Sequence, residues 1–290
     1  MTEPASEGPL AEALRDWHPP VIESARRVDP WQSAAFAALI GAPAPGEDDP
    51  LPPLWHWFTL LDHPAQAEIG EDGHPVTWPF MPPIPDRRRM FAGGRFEQWA
   101  PIPHGSELSS RSAVADVNIK TGRTGAMAFV TVRHELAADG RAVALEEQDI
   151  VYRCEPEGTA PRTMPRTGGD EPEPAGEWRR SLPTDPVLLS RFSALTYNGH
   201  RIHYDRPYAT GIEGYPDLVV HGPLLALLAL ELPRVHLAPG VVRSVTYRLV
   251  RSAFVPAVVV SAGSRAGDDV TVAVAAQGAL PSLTASIRLD

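Results

Sequence analysis

The stretch from Gly222 to Pro233 limits most sharply what this chain can fold into. Leu224, Leu225, Leu227, Leu228, Leu230 and Leu232 leave it no polar face before Glu231. A helix apolar on every side has to be buried in protein or in lipid. Gly222 and Pro223 mark its expected start and Pro233 its expected stop. At about ten residues it is too short to cross a membrane. Something must therefore wrap it, and the sequence that follows supplies the wrapping. VTYRLV alternates, FVPAVVVSA is a β-rich apolar run, VTVAVAA alternates weakly, and LTASIRL closes the chain. These patterns predict antiparallel strands. A buried helix rolled in such a sheet is an α+β arrangement.

The same unit occurs twice. Asp185-Pro186 opens DPVLLSRFSALTY, and Asp29-Pro30, 156 residues earlier, opens DPWQSAAFAALIG. Aspartate caps a helix and proline suits its first position, so that pair alone can recur by chance. Phe36, Ala38 and Leu39 recurring as Phe192, Ala194 and Leu195 make chance a poorer account. Pro53 to Leu61 falls where the second copy has its leucine helix, and four strand-like runs follow it: GRFEQWAP, ELSSRSAVADV, AMAFVTVRHEL and AVALEEQDIVYR. The expected organisation is a first half over residues 1–153, a Pro/Gly/Glu-rich linker over 154–181 and a second half over 182–290. Pro53 and Pro223 are expected at equivalent helix starts. The copies differ at two places. The positions matching Asn198 and His203 are Ala42 and Glu47, and the first copy carries an insertion from about Asp62 to Gly93 that holds Trp78, PFMPPIP and Arg87-Arg88-Arg89. The second half is expected to carry the chemistry and the first to shape the substrate tunnel.

A net charge of −10 argues against nucleic acid or an anionic membrane as partner. A single cysteine, Cys154, precludes an internal disulfide and fits a reducing, cytoplasmic setting. The acidic opening MTEPASEGPLAEAL does not resemble a secretory or mitochondrial leader. G-x-S-x-G, C-x-x-C, H-E-x-x-H and a phosphate-cradling glycine loop are all absent from the sequence. His200, His203 and Asp205 lie close together in sequence but lack further ligands at metal-site spacing, so no metal is expected.

The polar turn between the two helices of the second copy carries the candidate chemistry. FSALTYNGHRIHYD and EGYPDLVVHGPLLA, with RRMFAGGRFEQWAPI in the first half, resemble the MaoC-like hydratase/dehydratase group. Within it they most resemble the mesaconyl-CoA and itaconyl-CoA hydratases and the type 2 hydroxyacyl-thioester dehydratases. The resemblance implies a tandem (double) hot-dog, with an antiparallel sheet wrapped around a buried central helix in each half. It also implies hydration of an α,β-unsaturated acyl-CoA, a hydro-lyase reaction in which coenzyme A belongs to the substrate and no cofactor is needed. A branched C5 dicarboxyl group (mesaconyl, itaconyl or citramalyl) is the expected acyl part. A fatty-acid-type 3-hydroxyacyl-thioester dehydratase and a non-catalytic acyl-CoA-binding module stay open, and a homodimer is compatible with either.

By this resemblance His203 is the base, five residues after the group that orients water. That group is Asn198, where the commoner pattern has aspartate. Asparagine cannot take a proton but can donate and accept hydrogen bonds, or it can serve merely as a left-handed helix end. Gly222 is expected to offer its N–H to the thioester oxygen at a helix start, or only to permit a tight turn. Tyr197, Arg201 and His221 are expected to line the substrate pocket. Arg88 and Arg89 are expected to bind its anionic groups, because the guanidinium fork suits phosphate and carboxylate; the alternative is a solvated loop.

Overall fold

The computed structural model describes residues 9–46, 48–84, 87–122, 125–154 and 169–290, without the side chains of Pro9, Arg87, Gly122 and Gly125. Glu47 and linker residues 155–168 therefore lie outside the described residues. After a short helix α1 (Pro9–Leu14), the first half runs β1 (Ile22–Arg27), α2 (Pro30–Ile40), β2 (Arg87–Gln98), β3 (Glu107–Gly122), β4 (Gly125–Ala138) and β5 (Arg141–Cys154). The second runs β6 (Trp178–Thr184), α3 (Pro186–Leu195), α4 (Arg206–Gly211), α5 (Gly222–His236), β7 (Val242–Leu249), β8 (Ala257–Ala266), β9 (Asp269–Ala276) and β10 (Leu283–Leu289).

All ten strands form one antiparallel sheet in the order β1-β3-β4-β5-β2-β7-β10-β9-β8-β6. Read from either edge toward the centre, the two halves have the same topology. They join where β2 pairs with β7, with Gly94 opposite Tyr247. The internal repeat is thus a structural duplication, and the fold is the expected double hot-dog. Asp29 and Asp185 both cap their helices, accepting hydrogen bonds from Trp31 N–H and Leu188 N–H. The repeated Phe36 and Phe192 meet edge-on, 6.2 Å apart, with Phe58 against both.

The structure corrects the sequence in four places. The central helix of the first half is a single 3-10 turn, Trp55–Phe58, with Pro53 just ahead of it. Trp55 and Phe58 fill with two aromatic rings the core that α5 fills with leucines. Helix α5 does not stop at Pro233 but runs three residues further. Proline in a helix forfeits one hydrogen bond. Here it lies in the closing turns, and burial of the six leucines, roughly 1.5–3 kcal/mol each, outweighs that loss. The edge strands β1 and β6 were not foreseen, and β6 begins at Trp178, inside the stretch read as linker. Finally, Arg87–Arg89 belong to the start of β2 rather than to a loop.

Candidate active site

A cleft of about 1660 Å³ opens where the halves meet, above the roughly 300–1,000 Å³ of ordinary ligand pockets. Asn198, His203 and Gly222 from the second half line it together with Arg88 and Arg89 from the first. The sequence placed these residues up to 134 positions apart, Arg88 to Gly222. The fold brings them to one cleft because β2 and β7 are neighbours.

His203 closes a 3-10 turn, Arg201–His203, and is only 6% exposed. Its Nδ1 lies 2.7 Å from the carbonyl oxygen of Val219. A carbonyl only accepts, so Nδ1 carries the proton and Nε2 keeps its lone pair. Burial is the main reason the His203 pKa falls to about 4, which keeps the ring neutral and Nε2 unprotonated at physiological pH. The His221 ring lies flat against it, 3.6 Å between centroids. His221 is fully buried and hydrogen-bonds through Nε2 to Ser193 Oγ. It does not line the cleft, contrary to expectation, but props His203 from behind. Burial holds His221 well below its usual pKa, so two neutral rings can stack without repulsion.

Asn198 does not end the helix in a left-handed conformation; Tyr197 does, at φ +51°. Asn198 Oδ1 accepts the backbone N–H of His200 at 2.9 Å. That bond fixes the amide, leaving the Nδ2 hydrogens as donors for a water or the substrate. Gly222 begins α5, whose first N–H groups have no partner within the helix. A Cβ at Gly222 would sit 2.8 Å from Leu249 Cδ2 and 3.4 Å from Phe91 Cδ1. The absent side chain lets this helix start approach the cleft.

Arg201 departs from expectation. Its guanidinium is committed to Asp205, to the Glu71 carbonyl and to the face of Tyr208 at 4.1 Å, and it does not line the cleft. Arg88 is paired with Glu213 at 2.8 Å and Arg89 lies over Trp78; both face the cleft.

The insertion of the first half reaches across to the catalytic turn, which the sequence did not reveal. Asp72 O accepts Arg201 N–H at 2.9 Å, and His74 packs on His200 with centroids 4.1 Å apart. Gly73 makes this approach possible: a Cβ there would stand 1.8 Å from Gly199 O.

Tyr197 carries a testable cost. A non-glycine residue in the left-handed region loses roughly 1 kcal/mol, and the first copy has Gly41 at the matching position, φ +65°. Tyr197 is 62% exposed and borders the cleft, so packing does not offset that cost. Tyr197→Gly is expected to keep or raise the unfolding free energy while raising KM for the substrate. Reduced stability with KM unchanged would assign the residue to the fold instead.

The duplicated sheet, with a histidine, an amide and a helix start lining one shared cleft, defines a double hot-dog protein, and its site residues are those expected from the resemblance to hydratases and dehydratases. Comparison with known proteins agrees. Residues 54–255 match the family described as hydroxyacyl-thioester dehydratase type 2. The chain is 46% identical over 213 residues to the mesaconyl-C(4)-CoA hydratase of Chloroflexus aurantiacus, covering 73% of this chain and 75% of that one. Among solved structures, a MaoC-like dehydratase from Phytophthora capsici superposes with a TM-score of 0.66 over 97% of this chain and 98% of that one, at 15% identity. A Mycobacterium tuberculosis protein described as a double hot-dog fold does so at 0.53, covering 94% and 96%, at 14% identity. The chain belongs to the hydroxyacyl-thioester dehydratase type 2 family. No helix among the described residues is long and apolar enough to cross a membrane.

Proposed function

We propose that the protein adds water reversibly across the double bond of an α,β-unsaturated acyl-CoA, and that the acyl group is a branched C5 dicarboxyl such as mesaconyl, itaconyl or, in the reverse direction, citramalyl. The observation that carries the chemistry is the His203 ring, held by Val219 with Nε2 as its basic nitrogen and bordering the same cleft as Asn198 and the start of α5. The dicarboxyl group is supported by the 46% identity to a mesaconyl-C(4)-CoA hydratase.

In the hydration direction His203 Nε2 takes a proton from water while Asn198 Nδ2 holds the water oxygen. That oxygen bonds to the β carbon, and the π electrons move through the α carbon to the thioester oxygen. The Gly222 N–H stabilises the resulting enolate; one such donor is worth roughly 3 kcal/mol of barrier. The enolate then collapses, and its α carbon takes the proton back from His203, directly or through the water-derived oxygen. Coenzyme A enters and leaves as part of the substrate, and every proton and electron pair is accounted for by substrate, water and His203. The first half contributes the second wall of the cleft rather than a second base.

Purified protein mixed separately with mesaconyl-C4-CoA and crotonyl-CoA should bleach the conjugated-thioester absorbance, faster with the dicarboxyl substrate. Preference for long unbranched enoyl-CoA would favour the fatty-acid-type dehydratase. Binding without bleaching would favour an acyl-CoA-binding module.

A further inference from the structure

His200 sits in the cleft with no part in the proton transfer described above. Its ring is 5.5 Å from that of His203, centroid to centroid, and perpendicular to it. Among the described residues its ring nitrogens have no hydrogen-bond partner, while its backbone N–H holds Asn198. His74 backs it, itself held through Nδ1 by Asp72 at 3.0 Å. Burial first, with smaller contributions from neighbouring His74, His203, Arg89 and Arg88, pushes its pKa well down, so the ring is a neutral donor beside two guanidinium groups. Arg89 has no ion pair among the described residues.

The chemistry of the acyl group locates its own anion. In a mesaconyl group joined to CoA through C4, the free carboxylate is attached to the carbon that water attacks. It must therefore lie beside the water that His203 activates. We propose that His200, with Arg89 next to it, receives this carboxylate and so selects dicarboxyl over neutral acyl groups. The assignment rests on the dicarboxyl substrate proposed above. Arg88, already paired with Glu213, adds positive potential. Donor atoms of Asp72, His74 and His200 also lie within 4.8 Å of one another, as a cation site would require. Asp72 is engaged with His74, however, and two guanidinium groups near His200 repel a metal ion. An anion fits this charge pattern better.

The test is the ratio of kcat/KM for mesaconyl-C4-CoA to that for crotonyl-CoA, which lacks the carboxylate. A charge-assisted hydrogen bond contributes about 1.5–3 kcal/mol, so His200→Gln and, separately, Arg89→Gln should each lower that ratio about 10- to 100-fold. Arg89→Gln keeps the test open if His200→Gln fails to fold. A ratio unchanged in both variants, even with both rates reduced, overturns the subsite while leaving hydration itself standing. Wild-type protein that prefers crotonyl-CoA defeats the dicarboxyl reading and the subsite together. Stoichiometric Zn²⁺ binding to the wild type that His200→Gln abolishes would overturn the subsite in favour of a cation site. A ratio that collapses in Tyr247→Phe but not in the His200 or Arg89 variants would move the carboxylate to Tyr247, which lines the cleft and whose buried hydroxyl has no hydrogen-bond partner among the described residues.

Discussion

His203→Gln is expected to lower kcat by at least about a hundredfold, the usual worth of a positioned base. Glutamine can still donate toward Val219 but cannot take a proton. It is a better probe than alanine, because His203 is not the loosely packed turn residue its sequence position suggests. Alanine would leave the Val219 carbonyl without its donor and strip His221 of its stacking partner. A matched melting curve should show that the glutamine variant is folded, and near-native turnover would remove His203 from the mechanism. The pH profile adds an independent reading. With a pKa of about 4, the base survives acid that would protonate an ordinary histidine, so kcat/KM should hold until pH approaches 4. The same shift makes the fold acid-sensitive. The unfolded chain takes up this proton below about pH 6.5 and the folded chain resists until about 4, so stability falls across that window, by about 3 kcal/mol for His203 alone.

The second large effect falls on stability and on the other half. Glu146 is 1% exposed and accepts from His56 Nε2 at 2.6 Å, Trp57 Nε1 at 2.7 Å and Gln148 Nε2 at 2.9 Å. Burial would raise its pKa, but the charge and hydrogen bond of His56, helped by His134 and Gln148, outweigh burial and hold it at about 2. The carboxylate is therefore a buried charge that depends on its partners. His56→Leu is expected to cost about 3–5 kcal/mol, the penalty for breaking such a pair. His56→Leu combined with Glu146→Leu should recover much of that loss, since two apolar groups need no partners. Denaturant midpoints of the wild type and these two variants measure this directly, and His56→Leu as stable as wild type would show that the pair contributes nothing. Turnover by the folded fraction of His56→Leu should fall far less than in His203→Gln, because neither Glu146 nor His56 lines the cleft and Glu146 touches it through Trp57 and Gln148.

Local sequence displayed the features that depend on local chemistry. Asp-Pro at both helix starts, the leucine helix and the alternating strands each announce themselves within about a dozen residues, and their repetition exposed the duplication. Asn198, His203 and Gly222 were legible because one short segment carries them all. Three kinds of feature were hidden. The edge strands IESARR and WRRSLPT are short; the first faces solvent for nearly all its length, and the second alternates in burial but has Arg180 and Thr184 among its inward positions, so neither shows the apolar alternation that marks a buried strand. They do share the 156-residue offset, Ile22 to Trp178, and the repeat extended upstream would have found them. The loss of the first central helix shows only in three dimensions, where Trp55 and Phe58 occupy the volume. His56 with Glu146, and His74 with His200, are partners separated by 90 and 126 residues. Only the sheet order and the crossing of the insertion bring them together. Arg201 and His221 were placed near the site correctly but given the wrong task, because sequence distance does not reveal which way a side chain turns.

If His203 directs water onto the β carbon of a dicarboxyl acyl-CoA, a solvent oxygen must end on that carbon. Reaction with mesaconyl-C4-CoA in ¹⁸O-enriched water, followed by mass spectrometry of the intact thioester, tests it most directly. The expected product is a hydrated CoA ester carrying one solvent oxygen, formed by wild type and suppressed in His203→Gln. Free coenzyme A with a labelled acid would mean attack at the thioester instead, and labelled hydrate formed equally by His203→Gln would mean that another group activates the water.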